Sequence, residues 1–522
     1  MDTIKTFIER QLFDGYEACH MDSNGARSVR RNQGWVVFLL IYIILIGIVL
    51  LPVILNPYPG MPDYPNHLAR MSILTEWHKS SWLQQYYVLL DVPVPNMAMD
   101  IIVPVLYELG MELEIATRTF VGITIVVLVT GVSFLGYTIS GSVPWASLLV
   151  FAFVYNRYFI WGFLNYFFGL GLVCWVLALW ILLREISWVK RLILFSTLNI
   201  LLLYTHLMVI GIFGLTLVGY ELWRGTRRCP WDYRGFLLSL SQFVIPLVLY
   251  IVIFQHRTGL QPIYNDILLS KIYGILGTFI TYKTYNLYYE FIIMTGLMVF
   301  VIWGFRNGYL SMRREAGIII LPLIFAFAIL PWRMMGSWFL DRRLPIAALL
   351  LIIGFLSWNG PIRGRQAILA VGAMMAIIAL KAYVISWHWN KASLAFTDYR
   401  RSFAELDIGS RVFTFMGPSK HQEEFPPVRH VAGLAVVDRN VFIPNLFAYP
   451  LDVQIVAIRP SFVEVAAQSV HKYSHKPDWK MISTNYDYVI AIGGAAIEQV
   501  PREFQPISRG QGFIIYRVKL VS

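Results

Sequence analysis

"WVVFLLIYIILIGIVLLPVIL", residues 35–55, is an apolar run without a single charge. Wound into a helix at about 1.5 Å per residue, it crosses a hydrocarbon core of roughly 30 Å. A long polar stretch precedes it, so it reads as a membrane anchor rather than a cleaved signal peptide. The whole chain has the same character, with 57% hydrophobic and 14% charged side chains over 522 residues and a mean hydropathy of +0.59. That composition excludes a soluble globular protein.

Further apolar runs at about 117–138, 144–157, 160–183, 192–206, 207–223, 236–254, 290–305, 316–331, 344–358 and 367–386 bring the expected spans to eleven, the shorter ones needing tilt or a thinned bilayer. Lys and Arg are retained on the cytoplasmic side. Arg27, Arg30 and Arg31 therefore place the N-terminus inside. Alternate loops then carry Arg184, Lys190 and Arg191, next Arg224, Arg227, Arg228 and Arg234, then Arg306, Arg313 and Arg314, and last Arg363 and Arg365. The remaining cytoplasmic loop, SGSVPW at 140–145, is neutral. An odd number of spans leaves the C-terminus outside. The net charge of +12 is thus largely a topology signal and does not imply nucleic-acid binding. Cys19, Cys174 and Cys229 all fall away from the outer face, so no disulfide framework is available. A multi-pass chain with short loops is expected in a bacterial inner membrane.

Three parts follow: a cytoplasmic tail at 1–33, a membrane domain at 34–388 with a large external loop at 56–116, and an external soluble domain at 389–522. The last part carries short β-prone runs, "RVFTF", "YDYVIAI" and "GFIIYRV", between Gly, Pro and Asp, which predicts a small α/β fold. In the first loop Leu68, Met71, Leu74 and Trp77 recur at helical spacing, predicting an amphipathic helix on the bilayer interface. Asp63, His67 and Arg70 would share its opposite flank.

This topology gathers the unusual polar residues on the outer side: Asp63, His67 and Arg70, Asn156 and Arg157 in "VYNRYFIWGFLNYFFG", His206 in "LLLYTHLMVIG", Arg333, and Asp341, Arg342 and Arg343 in "DRRLP". Ionisable groups at membrane depth are costly and mark a pathway or a site. Each also has a plainer reading. Asp63, just ahead of Pro65, suits a helix cap. His67 and Arg70 suit the wet face of an interfacial helix, and Asn156, Arg157 and His206 suit helix ends that need partners. "DRRLP" is the strongest element, because two guanidiniums beside a helix start suit phosphate oxygens. Its plainer reading is an Asp341–Arg ion pair. Lys271 and Lys283, in the external loop 256–289, are further cations of the same kind.

The arrangement resembles the GT-C superfamily of integral-membrane glycosyltransferases, which use sugars carried on polyprenyl phosphates. The resemblance rests on an acid just after the first span (Asp63), helices in the first external loop, an odd span count and a soluble external C-terminal domain. "DRRLP" is similar to the Arg-x-x-Pro element of bacterial members, with Arg342 and Pro345 as the matching residues. "DYPNHLAR", "PN" at 95–96 and "WGFLNYFFGLGL" are similar to a group of uncharacterised bacterial membrane proteins of this architecture. Many superfamily members carry a second acid beside the first, whereas Asp63 lies between Pro62 and Tyr64. One carboxylate is a poor cage for a divalent cation, so no paired acidic motif supports a metal cofactor.

The resemblance implies an inverting hexosyl- or pentosyltransferase. Asp63 would be the general base that takes the acceptor's proton. Arg342 and Arg343, with Arg70, His67 and Arg333, would hold the donor phosphate. Asn156, Arg157, His206, Lys283 and Asp341 would line the pocket. The partners would be a polyprenyl-phosphate sugar, a glycan, lipid or protein acceptor, and the bilayer. The alternatives are a flippase for a lipid-linked saccharide, an oligosaccharide polymerase or ligase, and a non-catalytic assembly subunit.

Overall fold

The computed structural model describes residues 24–91, 94–226, 232–254, 261–264, 266–281, 287–334, 337–360, 365–416, 427–448, 454–471 and 477–518. Among these residues seven helices are long and apolar enough to cross a membrane, or eight if Tyr233–Ser241 and Val244–Val252, bent by 40°, form one span. The side chains left exposed on the long helices, such as Leu40, Ile43 and Phe291, are apolar. A surface of that kind suits lipid rather than water. The chain is a polytopic helical membrane protein.

The run 35–55 lies in α1 (Asn24–Leu55). The connection after it holds α2 (Tyr64–Glu76) and α3 (Ala98–Glu108), and α4 (Leu113–Ser140) returns through the membrane domain. The run 144–157 does not make the expected span. It forms a 3₁₀ turn, Trp145–Leu149, and one short α-helical turn, Val150–Phe153, before the chain bends. Lys381 donates to the Ala152 carbonyl at 3.0 Å, supplying a buried partner that irregular backbone in an apolar setting requires. Next come the short α5 (Arg157–Trp161) and the membrane helices α6 (Leu164–Leu182), α7 (Trp188–Thr205) and α8 (Leu207–Gly225). The helices α9 (Ile267–Phe279), α10 (Glu315–Ile329) and α11 (Leu340–Gly354) are shorter. At 15 residues each, α10 and α11 are about 22 Å long, less than a flat bilayer core.

The helix α12 (Arg365–Phe403) runs 39 residues without a break and carries the chain from the membrane domain into the C-terminal part. Position 389 therefore lies inside a helix. Beyond it β2 (Val412–Met416), β4 (Tyr488–Ile492), β6 (Phe513–Arg517) and β5 (Gln505–Gly510) form a four-stranded sheet in that spatial order. The pair β2 and β4 is parallel and the others are antiparallel. All five residues of β4 are buried, as suits a strand covered on both faces.

This C-terminal unit clamps the connection between α1 and α4. Strand β1 (Tyr87–Leu89), from the loop, pairs antiparallel with β3 (Val456–Ile458), matching Tyr87 to Ile458. Helix α13 (Gly433–Arg439) presses on the first turn of α2 so closely that a Cβ on Gly433 would lie 2.6 Å from the Pro65 carbonyl oxygen. The expectation of an interfacial helix with one wet face is corrected here. Residues Tyr64 to Ile73 of α2 are all buried, because α3 and α4 cover one side and the C-terminal unit covers the other.

Candidate active site

Asp63 stands immediately before α2 and is 6% exposed. It occupies the cap position, yet its side chain accepts no capping hydrogen bond from the helix. Two positions later Pro65 removes one of the free N–H groups that a cap would serve. The carboxyl is instead turned toward a crossing of three chain segments. The Asp63 N–H donates to the Trp161 carbonyl at 3.1 Å, and the Trp161 side chain hydrogen-bonds to the carboxyl. One helical turn on, His67 Nε2 donates to the Gly162 carbonyl at 2.8 Å. Since that nitrogen carries the proton, the buried Nδ1 holds the lone pair, and it has no partner among the described residues. Asp63 and His67 thus grip the same turn, Trp161–Gly162, at the end of α5.

The other side of this turn faces Arg343. Its guanidinium lies 4.0 Å from the centre of the Phe163 ring, donates to the Trp338 carbonyl at 2.8 Å, and sits 3.2 Å from His206 Nε2. His206 Nδ1 already accepts from the Met208 N–H at 3.1 Å. A neutral imidazole has one acceptor nitrogen, so Nε2 and the guanidinium are both donors there. Two donors with one shared locus suit an anionic oxygen between them.

Arg343 also lowers the carboxyl pKa of Asp63 electrostatically, as does Arg429 from the C-terminal unit. Burial outweighs both and pushes Asp63 up to about 8. Burial, with Arg70 nearby, pushes His67 down to about 3. The carboxyl is therefore largely protonated at neutral pH beside a neutral imidazole.

The sequence did not point to the third contributor. His430, in the 3₁₀ turn Pro427–His430, places Nε2 3.8 Å from Asp63 Oδ1. Phe447 holds both imidazoles edge-on, with ring centres 5.8 Å from His67 and 5.3 Å from His430. Burial, Arg429 and His67 keep the pKa of His430 well below its ordinary value.

Several expected members of the site have other work. Arg70 is fully buried in an ion pair with Asp100 of α3 and is not free for a lipid phosphate. Asn156 caps α5, accepting from the Tyr158 and Phe159 N–H groups and donating to the Phe153 carbonyl. Asp341 pairs with Lys271 at 3.2 Å instead of with an arginine, and Lys271 also donates to the Leu330 carbonyl. Arg342 turns away from its neighbour toward α9, where it donates to Ser270 Oγ at 3.1 Å. Arg333 lies in a two-residue strand with its guanidinium 4.6 Å from the Trp338 ring centre. Arg157 is half-buried at the first position of α5, and Lys283 lies outside the described residues.

Asp63, His67, Arg342 and Arg343 are each less than a tenth exposed. Little of any of these side chains is open to solvent in this conformation. A groove of about 460 Å³ opens elsewhere, between α1 and α4, with Leu50, Val53, Ile123 and Val126 on its walls and Arg118 as the one charged lining residue among those described. Among the described residues no three His, Cys, Asp or Glu side chains are grouped so as to hold a metal ion.

No family model and no curated protein matches the chain. Its structure is similar to the crystal structure of ArnT from Cupriavidus metallidurans in the apo state, with a TM-score of 0.52 over 94% of this chain and 98% of that one. The two sequences are 13% identical, so the likeness is one of fold. It carries no residue roles across.

Proposed function

We propose that the chain is a GT-C-type membrane glycosyltransferase. It transfers a hexose or pentose from a polyprenyl-phosphate carrier to an acceptor hydroxyl on the periplasmic face of a bacterial inner membrane, where the C-terminal unit also lies. The observation that carries this reading is the placement of Asp63 and Arg343 on the two sides of the Trp161–Phe163 turn, close enough to act on one another electrostatically. A buried carboxyl beside a buried guanidinium is what displacement at a sugar–phosphate bond requires.

In the reaction, the acceptor oxygen attacks the anomeric carbon while Asp63, once ionised, takes its proton. The bond from that carbon to the phosphate oxygen breaks, and its electron pair leaves with the lipid phosphate. Arg343 and the His206 N–H face the oxygen on which this charge develops, in a site poor in water where such donors act most strongly. Displacement in one step inverts the anomeric configuration. Arg342, one residue away and held by Ser270, adds positive potential without direct contact.

The test is transfer by the full chain in lipid nanodiscs, supplied with polyprenyl-phosphate sugars labelled in the sugar. Label that leaves the carrier, with release of free polyprenyl phosphate, is expected, and Asp63→Asn should abolish it. Donor that crosses a proteoliposome bilayer intact, with no cleavage, would instead establish a flippase.

A further inference from the structure

The carboxyl that the reaction depends on is completed by a residue 367 positions away in sequence, on the C-terminal unit. Three contacts fix that unit on the first turn of α2. Gly433 lies against the Pro65 carbonyl, Asn66 Nδ2 donates to the Asn445 carbonyl at 3.2 Å, and Phe447 stands edge-on to both His67 and His430. The turn Pro427–His430 is thereby held over Asp63. At 3.8 Å, His430 Nε2 and Asp63 Oδ1 are just beyond hydrogen-bond reach, and a catalytic contact of this length in a substrate-free site tightens with a small side-chain rotation.

We propose that His430 is a positioning residue for Asp63: as a neutral imidazole it donates its Nε2 proton to Oδ1 of the carboxylate, leaving Oδ2 turned to the acceptor hydroxyl. The groups that face Asp63 from the elements around it define this role. Arg343 approaches from α11, Arg429 from the C-terminal turn, and Trp161 from α5, while His67 on α2 is committed to Gly162. His67 therefore has no proton left to give, since its one N–H is spent on a carbonyl and its Nδ1 is an acceptor. His430 is the imidazole whose Nε2 lies on Asp63. Burial keeps it uncharged, so it orients the carboxylate by a hydrogen bond without adding a positive charge. A donated N–H favours the ionised carboxylate, which burial opposes. The transferase site would then be incomplete without the C-terminal unit.

This role rests on the transferase reading, and the experiment separates the two. His430→Phe keeps a ring against Phe447 and removes the N–H, whereas His430→Gln keeps an N–H near the same place. The ionisation of Asp63 is followed in the full-length protein by infrared spectroscopy, as the protonated carboxyl band that Asp63→Asn lacks. The band's midpoint should move to higher pH in His430→Phe and return most of the way in His430→Gln. In the transfer assay the same order is expected, with kcat for His430→Phe down about 100-fold and donor KM little changed. The acid limb of the pH profile should shift upward with it. An infrared midpoint that is the same in the wild type and in His430→Phe overturns the proposal whatever the activity. A shifted midpoint in a protein that transfers no sugar upholds the Asp63–His430 contact and counts against the transferase reading instead.

Discussion

Gly162 and Asp63 lie so close that a β-carbon on Gly162 would fall 2.7 Å from the Asp63 Cβ. The same glycine has φ of +118°, outside what L side chains adopt readily, and its carbonyl holds His67. Backbone freedom and close approach meet at one residue because the turn must pass between the carboxyl and Arg343.

Gly162→Ala should therefore cost about 1–3 kcal/mol in backbone strain alone and displace Asp63 besides. The expected result is a lower melting temperature together with a loss of transfer larger than the loss of folded protein explains. Size-exclusion yield, thermal unfolding and activity per folded molecule separate the two effects.

Asp63 gives a pH dependence with a definite sign. Its carboxyl ionises near pH 4 in the unfolded chain and at about 8 in the folded one. Between those values the folded state holds a proton that the unfolded state has lost, so stability falls as pH rises through this window. Asp63→Asn removes this slope, and its stability relative to the wild type should rise from about pH 4 to about pH 8. Transfer runs the other way, since the base form gains with pH. Paired unfolding curves at several pH values check the first effect, and the acid limb of the rate profile checks the second.

Arg343→Ala should weaken binding of the polyprenyl-phosphate donor by about 1.5–3 kcal/mol, the range for hydrogen bonds to a charged group, or roughly ten- to a hundredfold in Kd. Arg342→Ala should weaken it less, because that guanidinium is turned to Ser270. Calorimetric titration with donor measures both, and an equal loss in the two variants would return Arg342 to the phosphate site.

Arg70→Ala leaves Asp100 buried without its partner and should destabilise the fold by about 3–5 kcal/mol. Arg70→Met combined with Asp100→Leu should recover much of that loss, since no charge is then stranded. Thermal unfolding of the single and double variants tests this. Donor affinity of the folded fraction should not change.

The long spans were legible because a run such as 35–55 has one solution in a bilayer. The run 144–157 was not, since Asn156 spends its side chain on capping α5 and the segment breaks into short turns. The β-prone runs "RVFTF", "YDYVIAI" and "GFIIYRV" do fall on strands β2, β4 and β6. At the site, Asp63, His67, His206 and Arg343 were all visible as ionisable groups in the wrong kind of setting. Arg70 looked the same, and only a tertiary partner, Asp100, tells it apart. His430 gave no signal, because it belongs to a polar stretch where a histidine is ordinary. Gly162 sits in a quoted motif, but its role depends on a crossing with Asp63 that helical periodicity does not encode.

In the proposed transferase the donor phosphate binds between His206 and Arg343 with the sugar directed toward Asp63. A cryo-electron-microscopy structure of the full chain in nanodiscs with polyprenyl phosphate would locate that phosphate. Phosphate oxygens are expected at about 3 Å from the Arg343 guanidinium. A phosphate seated instead beside Arg118, in the groove between α1 and α4, would rule this placement out.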